Sequence, residues 1–178
     1  MIDYTALEDT IIDVLSPEIA SFGQLIVERQ DADRPSEGFT SFYILTPSRL
    51  GIPYRVAGQT PGSLDTITNY VVPVRFTSYG IGARNNISTL AESLSKLSIA
   101  SALREGGLTY SNYADLLDIP SFLSTKWEET AQLTARFHLS SCSTEANVGT
   151  IDTVILDSQI LDVDDTVIVS DSDTITGS

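Results

Sequence analysis

Trp127-Glu128-Glu129-Thr130-Ala131-Gln132-Leu133-Thr134-Ala135-Arg136-Phe137-His138-Leu139 alternates apolar and polar residues. A strand places successive side chains on opposite faces of its sheet. Trp127, Ala131, Leu133, Ala135, Phe137 and Leu139 therefore face one way, while Glu128, Thr130, Gln132, Thr134, Arg136 and His138 face the other. One face is core and the other is wet, which makes Trp127 and Phe137 sheet core rather than interface anchors.

Working outward, Ile67 to Tyr79 reads as a second long strand. Tyr70, Val72, Val74 and Phe76 share a face, and Pro73 argues for an edge position or a bulge. Between the two strands, Arg84 to Leu103 carries Ile87, Leu90, Ala91, Leu94, Leu97 and Ala102 at helical spacing, with Gly106-Gly107 as the stop. This predicts one principal helix, followed by a loop rich in tyrosine and aspartate. Upstream, residues 4 to 15 form an amphipathic helix on Leu7, Ile11, Val14 and Leu15, ended by Ser16-Pro17. Gln24 to Arg29 and Phe39 to Thr46 read as strands separated by a polar loop. Pro47 to Asp65 holds three prolines and three glycines and reads as a hairpin loop or flexible arm.

Ile151 to Ile160 and Thr166 to Val169 read as short strands, and residues 171–178 as a frayed or partner-dependent end. Helix, three strands, helix and more strands is neither a βαβ alternation nor an all-β pattern. The expected class is α+β, a mainly antiparallel or mixed sheet flanked by two helices, with a long loop or arm and an acidic β-rich C-terminal segment. Residues 1–144 are expected to form the main domain. Residues 145–178 are expected to be acidic strands of the same domain or a partner-binding extension.

The chain has 178 residues, 42% of them apolar, enough for one core without a disulfide or metal staple. Ten Lys and Arg stand against 24 Asp and Glu, a net charge of −14 and a pI of about 4.1. Such a balance repels phosphate backbones and anionic membranes and disfavours tight nonspecific binding of nucleic acid. The imbalance is concentrated at the end, where eight acids and no Lys or Arg follow Arg136. No window is long and apolar enough to span a membrane, and the acidic start is unlike a signal peptide. These readings place the chain in a reducing cytosol.

Reactive constellations are scarce. His138 and Cys142 are the lone imidazole and thiol, and on one strand they stand about 13 Å apart, too far for a nucleophile–base pair. Cys142 reads as a small, half-buried strand residue. Gly80-Ile81-Gly82-Ala83-Arg84-Asn85 sits where a dinucleotide fingerprint would, but Asn85 replaces the third glycine. A tight strand-to-helix turn capped near Asn85 or Asn86 is the plainer reading. Asp162-Val163-Asp164-Asp165 lacks the glycine and glutamate of a calcium loop and reads as a solvated acidic edge. Glu128 and Glu129 point to opposite faces and cannot flank one substrate. The residues call for no catalytic site, cofactor or metal, and the profile suits a structural or adaptor subunit.

The order of segments resembles the tail (neck) terminator proteins of tailed bacteriophages. The likeness is carried by the helix around Tyr4-Thr5-Ala6-Leu7 and by the strand and loop Ile26-Val27-Glu28-Arg29-Gln30-Asp31-Ala32-Asp33-Arg34-Pro35 leading into Phe39 to Leu45. It continues through Val74-Arg75-Phe76-Thr77-Ser78-Tyr79-Gly80-Ile81-Gly82-Ala83 and Trp127-Glu128-Glu129-Thr130-Ala131-Gln132-Leu133, with a looser match at residues 149–154. These are patterns of element order and residue type rather than strict signatures.

The resemblance implies a non-enzymatic virion protein, assembled in the host cytoplasm, that forms a hexameric ring at the head-proximal end of the tail tube. There it would end tube polymerisation and join tail to neck. Its implied partners are further copies of itself, the tail tube protein, a neck, head-completion or connector protein, and a sheath, with DNA only passing through the bore. Arg29 and Arg34 stand out because basic residues are scarce, and with Pro35, Arg49 and Arg55 they are the candidates for contacts between subunits. Solvated loop positions remain the plainer reading of Arg29 and Arg34. Two other functions stay open: another head–tail completion, tube-associated or baseplate protein, and a small nucleotide-binding enzyme using the Gly80–Gly82 turn.

Overall fold

The computed structural model describes residues 2–28, 34–35, 38–60, 62–114, 116–123, 126–146, 153–161 and 167–176. In chain order the elements are α1 (Tyr4–Ile19), β1 (Gln24–Val27), β2 (Phe39–Ile44), β3 (Ser48–Ala57), β4 (Leu64–Tyr79), α2 (Ala83–Leu94), α3 (Leu97–Glu105), β5 (Thr109–Tyr113), β6 (Leu117–Asp118), β7 (Ser121–Leu123), β8 (Lys126–Glu128), β9 (Thr130–Glu145), β10 (Thr153–Leu161) and β11 (Val167–Thr176). The fold is α+β, a mixed sheet flanked by helices, as the sequence pattern implies. The chain divides into two compact units, Met1–Tyr54 with Thr66–Ser143, and Arg55–Asp65 with Thr144–Ser178.

The main sheet runs β1-β2-β4-β9-β5, with β3 also on β4 and β6 also on β9. β1 and β2 are parallel, from Gln24↔Phe39 to Val27↔Phe42, whereas β2–β4, β5–β9 and β6–β9 are antiparallel. The face chosen by alternation is the core face. Phe42, Val72, Val74, Phe76, Ala131, Leu133, Ala135 and Phe137 are fully buried there, against Ile11, Leu15 and Ile19 of α1, Ile87, Leu90 and Leu94 of α2, and Leu103 of α3.

Pro17 does not end α1. The helix continues to Ile19, which is fully buried, and Ala20 N–H donates to the Ser16 carbonyl at 2.9 Å. A proline forfeits a helical hydrogen bond; burial of Ile19 offsets that loss by roughly 1.5–3 kcal/mol. At the other end Asp3 caps α1 by accepting from Ala6 N–H at 3.2 Å.

Pro73 is neither on an edge strand nor alone against solvent, because β4 lies between β2 and β9. It stands just past the last registered β2–β4 pair, Ile44↔Val74, where its carbonyl accepts from Leu45 N–H at 2.9 Å. This is the point at which β2 stops, so the missing donor interrupts no β2 ladder bond.

The expected principal helix is two helices. Lys96 adopts an extended conformation between them, and the chain tightens through i to i+3 bonds from Ser95 and Lys96 to Glu92 and Ser93. The break changes the helical phase: Ile99 and Leu103 become buried, and Leu97 is left 86% exposed. Glu18 at the end of α1 fixes it, accepting from Ser93 Oγ at 2.9 Å and Lys96 Nζ at 2.5 Å. The predicted stop holds, since Gly107 at φ +83° lets Leu108 N–H reach the Leu103 carbonyl at 2.9 Å.

Three further expectations are corrected. The segment 47–65, expected as a hairpin loop or flexible arm, is a hairpin half made of strand: it contains the ten-residue β3, paired to β4. The region after Gly107 forms β5, β6 and β7 rather than a loop. Trp127 is 73% exposed and lies on β8, whose partner is β7 in a separate two-stranded sheet with Phe122↔Trp127 in register. The alternation therefore begins at Ala131, and Glu129, on the apolar parity, marks the break.

In the second unit, β10 and β11 form an antiparallel pair from Thr153↔Thr176 to Leu161↔Val167. Residues 171–176 are thus strand rather than a frayed end. The turn between β3 and β4 is closed by Gly58 N–H donating to the Ser63 carbonyl at 3.0 Å, and Thr144 Oγ1 donates to Asp65 at 2.6 Å.

Candidate functional site

The Gly80–Gly82 turn joins β4 to α2, as expected, but neither asparagine caps the helix. The N-cap is Gly82 itself, at φ +79°, a left-handed conformation that favours glycine and supplies no capping side chain. Glu129 provides the missing acceptor. Its Oε2 accepts from Gly82 N–H at 2.7 Å, and its backbone carbonyl accepts from Gly80 N–H at 3.0 Å. A carboxylate therefore already occupies the helix start that a nucleotide phosphate would need.

Its neighbour Glu128 pairs with Arg34. The Arg34 guanidinium lies 5.3 Å from the ring centroids of both Phe39 and Tyr79, which stack on each other at 4.8 Å. The hydrogen bond to Glu128 raises Arg34 above its ordinary pKa, against the opposing effect of burial. Pro35 is half-buried beside it. Adjacent carboxylates thus do separate jobs, one holding a loop arginine on an aromatic pair and one closing a turn. A second ion pair joins Arg75 on β4 to Glu28 just past β1 at 2.9 Å, with Arg75 5.7 Å from the Tyr43 ring.

Of the five contact candidates, Arg34 and Pro35 come together within the chain, Arg49 and Arg55 are exposed on β3, and Arg29 lies outside the described residues. His138 and Cys142 both belong to β9, which runs through them without folding back, so they stay apart. His138 is half-buried and sits opposite Thr109, whereas Cys142 is exposed rather than half-buried, because β5 ends its pairing with β9 at His138. Among the described residues no three His, Cys, Asp or Glu side chains gather around a point that could hold a metal, and Asp162–Asp165 lie outside them. No described helix is long and apolar enough to cross a membrane.

Two features escaped the sequence reading. Glu18 bridges the helix break, for which no local signal exists. The other is a stripe on β3: Leu50, Ile52, Tyr54 and Val56 alternate and are 49%, 90%, 49% and 40% exposed. That period-two pattern is present in the sequence, hidden among prolines and glycines.

Fold and surface together define a small α+β domain whose described ion pairs hold loops, turns and helix ends in place, and which displays an apolar strand face. A family model described as phage neck terminator protein matches residues 5–166. The chain belongs to that family. It is a structural protein of the virion neck, with a role in head–tail joining that brings it against other head and tail proteins. No curated protein matches the chain.

Proposed function

We propose that the chain forms a hexameric ring on the head-proximal end of the tail tube, where it ends tube polymerisation and joins tail to neck. The match of residues 5–166 to the neck terminator family carries this reading. Its partners are the tail tube protein below, a head-completion or connector protein above, and a sheath where the tail has one. DNA passes through the bore without being held. The net charge of −14 per chain supports that last point, because a ring of such chains presents a field that repels phosphates.

The test is solution mass by light scattering, with negative-stain imaging of the same fraction with and without tail tubes. Six-fold rings, or monomers that become rings at one end of each tube, are the expected result. A monomer or dimer indifferent to tubes overturns the reading. A ring whose bore is lined with Lys and Arg overturns passive DNA passage alone.

A further inference from the structure

Two strand edges carry the same three-residue pattern with opposite charge. On β3 it is Tyr54-Arg55-Val56, and on β6 with the residue after it, Leu117-Asp118-Ile119. Tyr54 and Val56 are 49% and 40% exposed, Leu117 and Ile119 are 50% and 47% exposed, and both charged residues are exposed as well. Successive residues of a strand point to opposite faces. Each triplet therefore shows two apolar side chains on one face and its charge on the other. Among the described residues neither Arg55 nor Asp118 enters an ion pair.

In both strands the charged residue is also the one whose backbone faces away from the strand's own neighbour. β6 is registered to β9 through Leu117↔Gln132 and Asp118↔Ala131, and Ile119 N–H continues that ladder by donating to the Thr130 carbonyl at 2.8 Å. Along an antiparallel ladder, residues that bond to the partner alternate with residues that turn away from it. Leu117 and Ile119 thus bond to β9, and Asp118 turns its N–H and carbonyl outward. On β3 the count starts at Gly58, whose N–H donates to the Ser63 carbonyl across the hairpin. Val56 and Tyr54 then face β4, and Arg55 and Pro53 turn outward. A strand tolerates proline at such an outward position, which agrees with this count.

The two edges fit each other in one register. Laid antiparallel with Arg55 opposite Asp118, they exchange backbone hydrogen bonds at that pair. Tyr54 then meets Ile119 and Val56 meets Leu117 on one face, while guanidinium meets carboxylate on the other. Pro53 falls opposite Pro120, and with no N–H on either residue the ladder ends there. Self-pairing about the same centre sets arginine opposite arginine or aspartate opposite aspartate, and like charges directly opposite are destabilising. We infer that the β3 edge at 54–56 of one copy adds as a strand to the edge at 117–119 of the next, with Arg55 against Asp118. The contact is heterologous, one edge of a chain on a different edge of its neighbour, and such contacts run head to tail and close into rings.

This inference rests on the ring reading above and names the contact that builds the ring. The test uses the full chain carrying Cys142→Ser. Chains with Val56→Cys, chains with Leu117→Cys, and an equal mixture of the two are assembled and oxidised, on tube ends as well as free. The mixture is expected to give a cross-linked dimer on a non-reducing gel, and neither variant alone is expected to do so. Replacing Leu117→Cys by Asp118→Cys, one residue along and on the opposite face, should abolish the cross-link. Both Val56→Cys and Leu117→Cys in one chain should give a ladder ending at a closed ring. Independently, Arg55→Asp or Asp118→Arg should shift the solution mass from the ring to a 19.3 kDa monomer without altering the circular-dichroism melt, and the two together should restore the ring.

Rings that form without the mixed cross-link, that keep their mass after either reversal, or that fail to return in the double reversal overturn the edge pairing and leave the ring standing. So does a cross-link formed by Val56→Cys alone, which signals β3 against β3. A wild-type chain that makes no ring, alone or on tube ends, overturns the ring reading, and the edge pairing with it.

Discussion

The Glu129 carboxylate accepts from the Gly82 N–H at 2.7 Å, so a side chain from the far side of the sequence caps α2 where the local residue cannot. The bond also places a negative charge at the positive end of the helix dipole. Glu129→Ala is expected to cost about 1 kcal/mol, the usual worth of an N-cap. Urea unfolding checks this through a lower midpoint at unchanged slope. The same occupancy predicts that ATP and NAD leave the wild-type melting temperature unmoved, whereas a nucleotide-dependent rise would restore the nucleotide-enzyme reading.

Glu18 gives the fold a pH dependence. Its hydrogen bonds from Lys96 and Ser93 hold its pKa below the ordinary 4.5, with burial opposing them. The folded state therefore favours the carboxylate, and its contribution is present above 4.5 and lost as pH falls through the lowered value. The stability difference between wild type and Glu18→Gln should be full at neutral pH and shrink on acidification. Denaturant titrations at a series of pH values read it directly; a difference that grows toward acid would contradict the assignment.

The helix break leaves Leu97 outside the core to which Phe137 belongs. Phe137→Ala, at a fully buried position, should cost about 3–5 kcal/mol. Leu97→Ala, at a position 86% exposed, should change stability by less than about 0.5 kcal/mol. A continuous helix would bury Leu97 and make its truncation expensive, so the pair of measurements separates one helix from two.

Arg34 combines an ion pair with stacking over Phe39 and Tyr79. Lysine keeps the charge and loses the planar group. Arg34→Lys should therefore destabilise by about 0.5–1 kcal/mol, the worth of a cation–π contact at a partly exposed site. In a double-mutant cycle with Glu128→Gln, the lysine chain should retain part of the coupling and an Arg34→Ala chain none.

Legibility in the sequence followed the range of the interactions. The alternation from Ala131 to Leu139 and the Tyr70–Phe76 face gave the core side of both long strands, because period two is a local property. The stop at Gly106-Gly107 was legible for the same reason. What was not legible depended on distant partners: the helix break held by Glu18, the cap on Gly82 supplied by Glu129, and the strand placement of Pro73, set by where β2 ends. Trp127 shares the parity of the core residues, but Glu129, the one polar residue on that parity, marks the join between β8 and β9 and separates it from them. Arg49 and Arg55 stand among the candidate contact residues, while the apolar stripe beside them is hidden among the prolines and glycines of the same segment.

The place of β9 in the sheet carries a consequence for how the protein is made. β4 is complete at Tyr79, yet the strand that lies between it and β5 runs from Thr130 to Glu145. A ribosome adding roughly 5–20 residues per second needs several seconds to bridge that interval. Throughout it, the sixteen-residue β4 emerges with one edge bare, and a bare edge invites pairing with other nascent chains on the same message. The sheet cannot close until β9 has left the ribosome, so truncation before Leu139 should yield an aggregating chain rather than a smaller folded one.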